Sequence, residues 1–260
     1  MNVRTVTALP EARWKGLSYR KNGDGAGPAL IFIHGAVGDS RIFRYQLKHF
    51  SSRYKTIALD LPGHGHSRGE RLPEIDDFVD AIEDVVKAEG IDSYVLAGHS
   101  MGGGVCLEAW KRGIPGIRAM ILISTSPVLP VSQELEDIVR RDDMDSLAEL
   151  VVGSVFSSRI ELLIGFAKKG LYEIAGDIIR RDVAICRMMD YREILERIDV
   201  PVLVVANSGD AVIGVDRTTE LAEGIANASM VVFEAAGHVP FFEQHRDFNR
   251  VLDAFLEDLD

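Results

Sequence analysis

Cysteine is scarce: Cys106 and Cys186 are the only two in 260 residues. They lie far apart and form no C-x-x-C pair, which excludes a disulfide framework and a zinc knuckle and leaves two ordinary buried thiols as the expectation. Positive charge is also short, with 29 Lys and Arg against 40 Asp and Glu and a formal net charge of -11. Such a surface repels a phosphate backbone and anionic lipid head groups, so neither a nucleic-acid nor a membrane partner is expected. No run approaches the ~20 apolar residues that span a bilayer. The start, Met1-Asn2-Val3-Arg4, has no apolar h-region with a small-residue cleavage site, and a soluble, cytoplasmic protein is expected. Low-complexity segments and internal repeats are absent. What is present is a hydrophobic content of 47% with charges dispersed along the chain, the composition of a globular protein able to bury a large core.

Short β-branched runs recur at Ala29–Ile33, Lys55–Leu59, Tyr94–Ala97, Met120–Ile123, Val202–Val205 and Met230–Phe233. Continuous apolar runs of this length read as strands buried on both faces. Helical spacing separates them: Ile75, Phe78, Val79, Ile82, Val85 and Val86 repeat on one stripe, as do Phe248, Val251, Leu252, Phe255 and Leu256. Alternating strand and helix predict an α/β fold, a mostly parallel central sheet with helices on both faces. The first ~25 residues fit an antiparallel pair ahead of the Gly-rich turn Asn22–Gly27. After Ser124 the alternation stops, and a stretch rich in helix formers runs from Pro127 to Ile198. A structureless loop of that length is uncommon in a compact domain, so the division expected is a core of residues 1–126 and 199–260 with an inserted helical cap at 127–198. The cap is expected over the C-terminal edge of the sheet, where open α/β sheets bind ligands.

The chemistry concentrates at Gly98-His99-Ser100-Met101-Gly102, between the buried run Tyr94–Ala97 and a helical stretch containing Val105, Leu107 and Trp110. A serine on a sharp strand-to-helix turn is held in a strained backbone, and glycines two positions either side remove the side chains that would collide. A serine hydroxyl needs a histidine base, and the histidine needs a carboxylate to fix its tautomer. His238 follows the run Met230–Phe233, and Asp210 follows the run Val202–Val205. Asp216 is the rival carboxylate, with an alternative role as the N-cap of the next helix. Of the other histidines, His99 points away from its neighbour's side chain, and His49 and His245 fall in predicted helices. His34-Gly35 follows the strand ending at Ile33, where a loop can present backbone amides to a developing oxyanion. Ala36 and Met101 are the candidate donors, with Val37 as a substitute for Ala36, and His34 orders the loop. His64 and His66 invite a metal reading, but a hydrolytic metal needs three or more ligands and no Asp-His pair follows them.

Those segments together resemble the large group of α/β-hydrolase-fold proteins that includes carboxylesterases, lactonases, cofactor-free haloperoxidases and carbon-carbon bond hydrolases. The matching pieces are His34-Gly35, Asp60–Ser67, Gly98–Gly102, Val200-Pro201 with Asp210 behind them, and Gly237-His238 followed by Glu243 and Phe248. The resemblance implies a catalytic triad of Ser100, Asp210 and His238, an oxyanion hole from the Ala36 and Met101 amides, no metal and no organic cofactor, and a small-molecule ester as substrate. Haloalkane dehalogenases and epoxide hydrolases carry an aspartate where this chain has Ser100. Carbon-carbon hydrolases often have an aromatic residue after the histidine and Gly-Pro in the oxyanion loop, where this chain has Val239 and Val37-Gly38. Carbon-carbon cleavage, perhydrolysis and a non-enzymatic ligand-binding module stay open as alternatives, as does a homodimer. For the pocket, Phe156, Phe166, Tyr172, Met188, Met189 and Tyr191 are candidates, with core packing the favoured role for each.

Overall fold

The computed structural model describes residues 9–25, 27–68, 73–156, 165, 169 and 171–259. Eight strands form one sheet: β1 (Glu11–Trp14), β2 (Leu17–Asn22), β3 (Ala29–Ile33), β4 (Thr56–Asp60), β5 (Tyr94–His99), β6 (Ile117–Ile123), β7 (Val202–Asn207) and β8 (Ala228–Phe233). Their spatial order is β1-β2-β4-β3-β5-β6-β7-β8. Strand β2 runs antiparallel to β1 and β4, and every other pair is parallel. The N-terminal antiparallel pair expected from the sequence is therefore the β1-β2 hairpin at one edge.

Period-two alternation explains why the central runs are apolar throughout. Ile31 and Ile33 of β3, with Leu96 of β5, point into one layer, shared with α2 (Ile75–Ala88), α3 (Met101–Lys111) and α7 (Val215–Glu223). Leu30, Phe32, Val95 and Ala97 point into the opposite layer, shared with α1 (Arg44–Phe50), the short α8 (Pro240–Glu243) and α9 (His245–Glu257). Strand β8 departs from the expectation of two buried faces: Met230 packs against one layer and Val231 against the other, but as an edge strand it leaves both only partly buried, and Val232 is 39% exposed. The cysteines do pack as thiols, Cys106 in the core and Cys186 against it, and burial drives both thiol pKa values up.

Between β6 and β7 lie α4 (Gln133–Arg140), α5 (Met144–Val155) and α6 (Gly176–Met188). They pack on one another around a third apolar cluster that includes Ile138, Leu147, Leu171 and Ile179. Ser132 caps α4 by accepting from the Leu135 amide, and Asp143 caps α5 by accepting from Ser146. Asp216 proves not to be an N-cap. Gly214 holds that position of α7, because its φ of +81° suits glycine, and Asp216 sits in the first helical turn.

Helix α9 is anchored by Phe248, fully buried between Phe233 and Phe241 at ring separations of 6.0 and 5.8 Å. Phe248→Ala is expected to cost about 3–5 kcal/mol of stability. The check is a lower urea midpoint with an unchanged slope.

Candidate active site

Three strand ends converge on the C-terminal edge of the sheet. At the end of β5, Ser100 has φ 53° and ψ -119°, a left-handed conformation that a non-glycine residue holds only when its surroundings force it. The forcing contacts are specific. The Ser100 amide donates to the Ile123 carbonyl at 2.9 Å, and the Ser100 carbonyl accepts from Thr125 Oγ1 at 2.9 Å and from the Gly103 amide at 2.8 Å. A Cβ on Gly98 would lie 2.2 Å from the Gly102 carbonyl oxygen, and one on Gly102 would lie 2.3 Å from the Ile33 carbonyl oxygen. The two glycines are thus required by close backbone approach among β3, β5 and α3.

At the end of β7, the chain turns through Asn207-Ser208-Gly209 to Asp210, whose Oδ1 accepts from the amides of Val212 and Ile213 at 2.9 and 3.1 Å. Its other oxygen lies 2.9 Å from His238 Nδ1, in a pair that is almost fully buried. Burial raises the Asp210 pKa, but the His238 hydrogen bond and charge, with the two amides, outweigh it and the net shift is downward. Asp216 is on the following helix and makes no such bond. The His238 loop is pinned at its backbone: its amide donates to the Val155 carbonyl at 2.8 Å, and its carbonyl accepts from His99 Nε2 at 2.9 Å. His99 thus acts on His238 through the backbone carbonyl of that residue. Burial, then the neighbouring His238, hold the His99 pKa well below its ordinary value, so His99 is a neutral donor.

His34 is completely buried and bridges two loops, donating from Nδ1 to the Gly35 carbonyl at 2.8 Å and accepting the Leu61 amide at Nε2 at 3.0 Å. Burial, then His64, push its pKa down to about 4, which suits a neutral ring that orders the loop. The two amide candidates of that loop separate here. The Val37 N–H is committed to Asp182 Oδ2 at 2.8 Å, which leaves Ala36 as the loop's candidate. Met101 opens α3, so its amide is one that no intrahelical carbonyl satisfies. His64 and His66 diverge: His64 is buried against Asp182, while His66 is exposed and paired with Glu11. The loop carrying them turns on Asp60, whose carboxylate accepts from the amides of Ser40 and His66.

Ser100, His99, His238 and Ala36 line one cavity of about 250 Å3 beneath α4, α5 and α6. The rest of the wall is chiefly aliphatic, with Leu135, Leu147, Leu150, Val151, Ile179 and Val183 prominent. Two charged side chains reach it, Asp39 and Arg41, which are joined to each other at 2.7 Å. Of the pocket residues expected from the sequence, Phe156 lines the cavity. Met189 and Tyr191 are buried in the sheet-helix core, as favoured, whereas Tyr172 and Met188 face solvent. Phe166 falls outside the described residues. Thr125, Asp182 and the bond from His99 to His238 also belong to the site, and none of them is marked by a motif. The polar triplet Ser124-Thr125-Ser126 directly after a buried strand was the one available signal.

A model of the alpha/beta hydrolase family matches residues 30–251, and the chain belongs to that family. It is 29% identical over 264 residues to a non-heme chloroperoxidase from Kitasatospora aureofaciens, covering 89% of this chain and 93% of that protein. It is 24% identical over 248 residues to a pimeloyl-(acyl-carrier protein) methyl ester esterase from Chromobacterium violaceum, covering 90% and 96%. The enol-lactonase structure from Burkholderia xenovorans shares the fold with a TM-score of 0.87 at 22% identity, over 95% of this chain and all of that one. The fold and the resemblance to the esterase, lactonase and haloperoxidase group are borne out. No helix among the described residues is long and apolar enough to cross a membrane.

Because the folded-state pKa of Asp210 is depressed, its pairing contributes stability above the unfolded value of about 4 and loses it as the pH falls through the folded value. Asp210→Asn is expected to remove that part of the acid-unfolding slope, measured by thermal melts between about pH 3 and pH 7.

Proposed function

We propose that this protein is a serine hydrolase that cleaves carboxylic esters of small or medium acyl compounds through an acyl-enzyme on Ser100. The observation that carries the proposal is the buried Asp210–His238 bond on the wall of the cavity that also holds the strained Ser100. In this reading His238 takes the Ser100 proton as the hydroxyl attacks the ester carbonyl, then returns it to the departing alcohol. A water, deprotonated by His238, attacks the acyl-enzyme and frees the acid. Asp210 keeps the His238 proton on Nδ1 and stabilises the imidazolium, and the amides of Ala36 and Met101 receive the tetrahedral oxyanion. No step calls for a metal or organic cofactor. Residues 127–198 serve as the cap, with α5 and α6 forming the acyl wall.

The cavity's size and lining support the acyl assignment. A cavity of about 250 Å3 with this wall suits a small or medium acyl chain. Its aliphatic lining offers such a chain burial worth about 0.8 kcal/mol per methylene. The chloroperoxidase relative favours perhydrolysis as a second outcome of the same acyl-enzyme, with hydrogen peroxide replacing water and a peracid as product.

A fluorophosphonate probe is expected to label Ser100. Ser100→Ala should abolish both labelling and turnover of p-nitrophenyl esters, and Asp210→Asn should lower kcat by about 10³–10⁴-fold. Labelling at a different residue refutes the assignment. Val151 lines the cavity, so Val151→Trp is expected to lower kcat/KM for the octanoyl ester by at least ~10-fold while sparing the acetyl ester, since each lost methylene site is worth a factor of a few. Rates across an acyl-length series check this.

A further inference from the structure

We infer that Asp182, on α6, is a positioning residue that holds the oxyanion loop in its working shape. The inference rests on the serine-hydrolase reading above. Its geometry is independent of that reading. Residues 35–38 form a tight turn: the Gly35 carbonyl accepts from the Gly38 amide at 3.2 Å and from His34 Nδ1 at 2.8 Å. Within the turn Val37 has φ +53°, a left-handed conformation that a β-branched side chain resists. Turn closure engages Gly35 and Gly38 and leaves the Val37 amide to be held from elsewhere.

The holding group comes from α6. Asp182 is fully buried, and its Oδ2 accepts both the Val37 amide at 2.8 Å and His64 Nε2 at 2.9 Å. Its Oδ1 is buried with no hydrogen-bond partner among the described residues, so both bonds run through one oxygen. His64, also fully buried, donates from Nδ1 to the Pro62 carbonyl. Although burial opposes charge on His64, Asp182 more than offsets it and the pKa is raised. A buried ion pair is seldom more stabilising than apolar side chains of the same volume. What apolar side chains cannot supply here is an acceptor for the Val37 N–H. That amide follows Ala36, and the turn is pressed against the serine: a Cβ on Gly35 would lie 3.0 Å from Ser100 Cβ. Release of Val37 therefore lets the Ala36 amide rotate beside the reacting carbonyl. The neighbours of Asp182 on α6, Ile179 and Val183, line the cavity. One helix thus touches the acyl chain and fixes the loop that receives its oxyanion.

The test is a set of variants assayed on p-nitrophenyl butyrate and with an alkyl trifluoromethyl ketone, whose hemiketal oxyanion mimics the tetrahedral intermediate. Asp182→Ala is expected to lower kcat by about 10- to 100-fold, since a displacement of ~1 Å at a reacting centre costs on the order of 10²-fold. KM should stay within about twofold, and the inhibition constant of the ketone should rise by the same factor as kcat falls. Asp182→Asn keeps an oxygen where Oδ2 accepts from the Val37 amide and from the Nε2–H of a neutral His64, and it should recover most of the rate. The double variant His64→Leu/Asp182→Val replaces the pair with apolar groups, which protects the fold, and should lose rate as Asp182→Ala does. Unchanged kcat in Asp182→Ala or the double variant overturns the inference. So does Asp182→Asn as slow as Asp182→Ala, or a rise in KM without weaker ketone binding. Ser100→Ala that still turns over ester would instead refute the serine-hydrolase reading, so the two failures are distinguishable.

Discussion

The backbone of Ser100 sits in a conformation that the chain adopts only under compulsion, and much of the site's architecture supplies that compulsion. Strand β5 ends against β6 through the Ser100 amide and the Ile123 carbonyl, while Thr125 and the first turn of α3 hold the Ser100 carbonyl. Three strands and a helix have to approach at backbone distance for this to close. Gly98 and Gly102 are the cost of that approach, because neither position has space for even a methyl group. A strained residue of this kind persists only where its neighbours over-determine it.

Most of the fold was legible in the sequence because a central α/β sheet writes itself as uninterrupted apolar runs. Ala29–Ile33 and Tyr94–Ala97 feed both helix layers, so neither alternates in polarity, and β-branching with short length sets them apart from helices. Strand β8 misled for the opposite reason. Val231 and Val232 are apolar, but a strand with only one neighbouring strand is incompletely covered on both faces, and nothing in the residues marks an edge. The serine, the aspartate after β7 and the histidine after β8 stood out because each follows such a run, and the structure brings the last two within hydrogen-bonding distance.

What stayed hidden was polar and long-range. Asp182 meets His64 and Val37 across more than a hundred residues of chain, and no local pattern distinguishes it from the other charges of α6. Nothing in the sequence around His99 marks its bond to the His238 carbonyl, whose residue lies 139 positions away. Buried hydrogen bonds are directional, and their partners become visible only once the topology is fixed. The cavity lining was hidden likewise: among the aromatic and Met candidates, position around each helix decided which side chain met the cavity, the core or solvent, and the aliphatic residues of α5 and α6 took most of the wall.

The Val155 carbonyl, at the end of α5, accepts the amide of His238. Helical segments of this kind look like interchangeable parts, a place where lineages could swap pockets while leaving the chemistry alone. In this chain the exchange is constrained. Any replacement segment has to end with a carbonyl at that point, or the histidine loses a backbone tether as the pocket is rebuilt. Diversification of the pocket by substitution within α5 and α6 keeps the tether, whereas diversification by wholesale transplant has to recreate it.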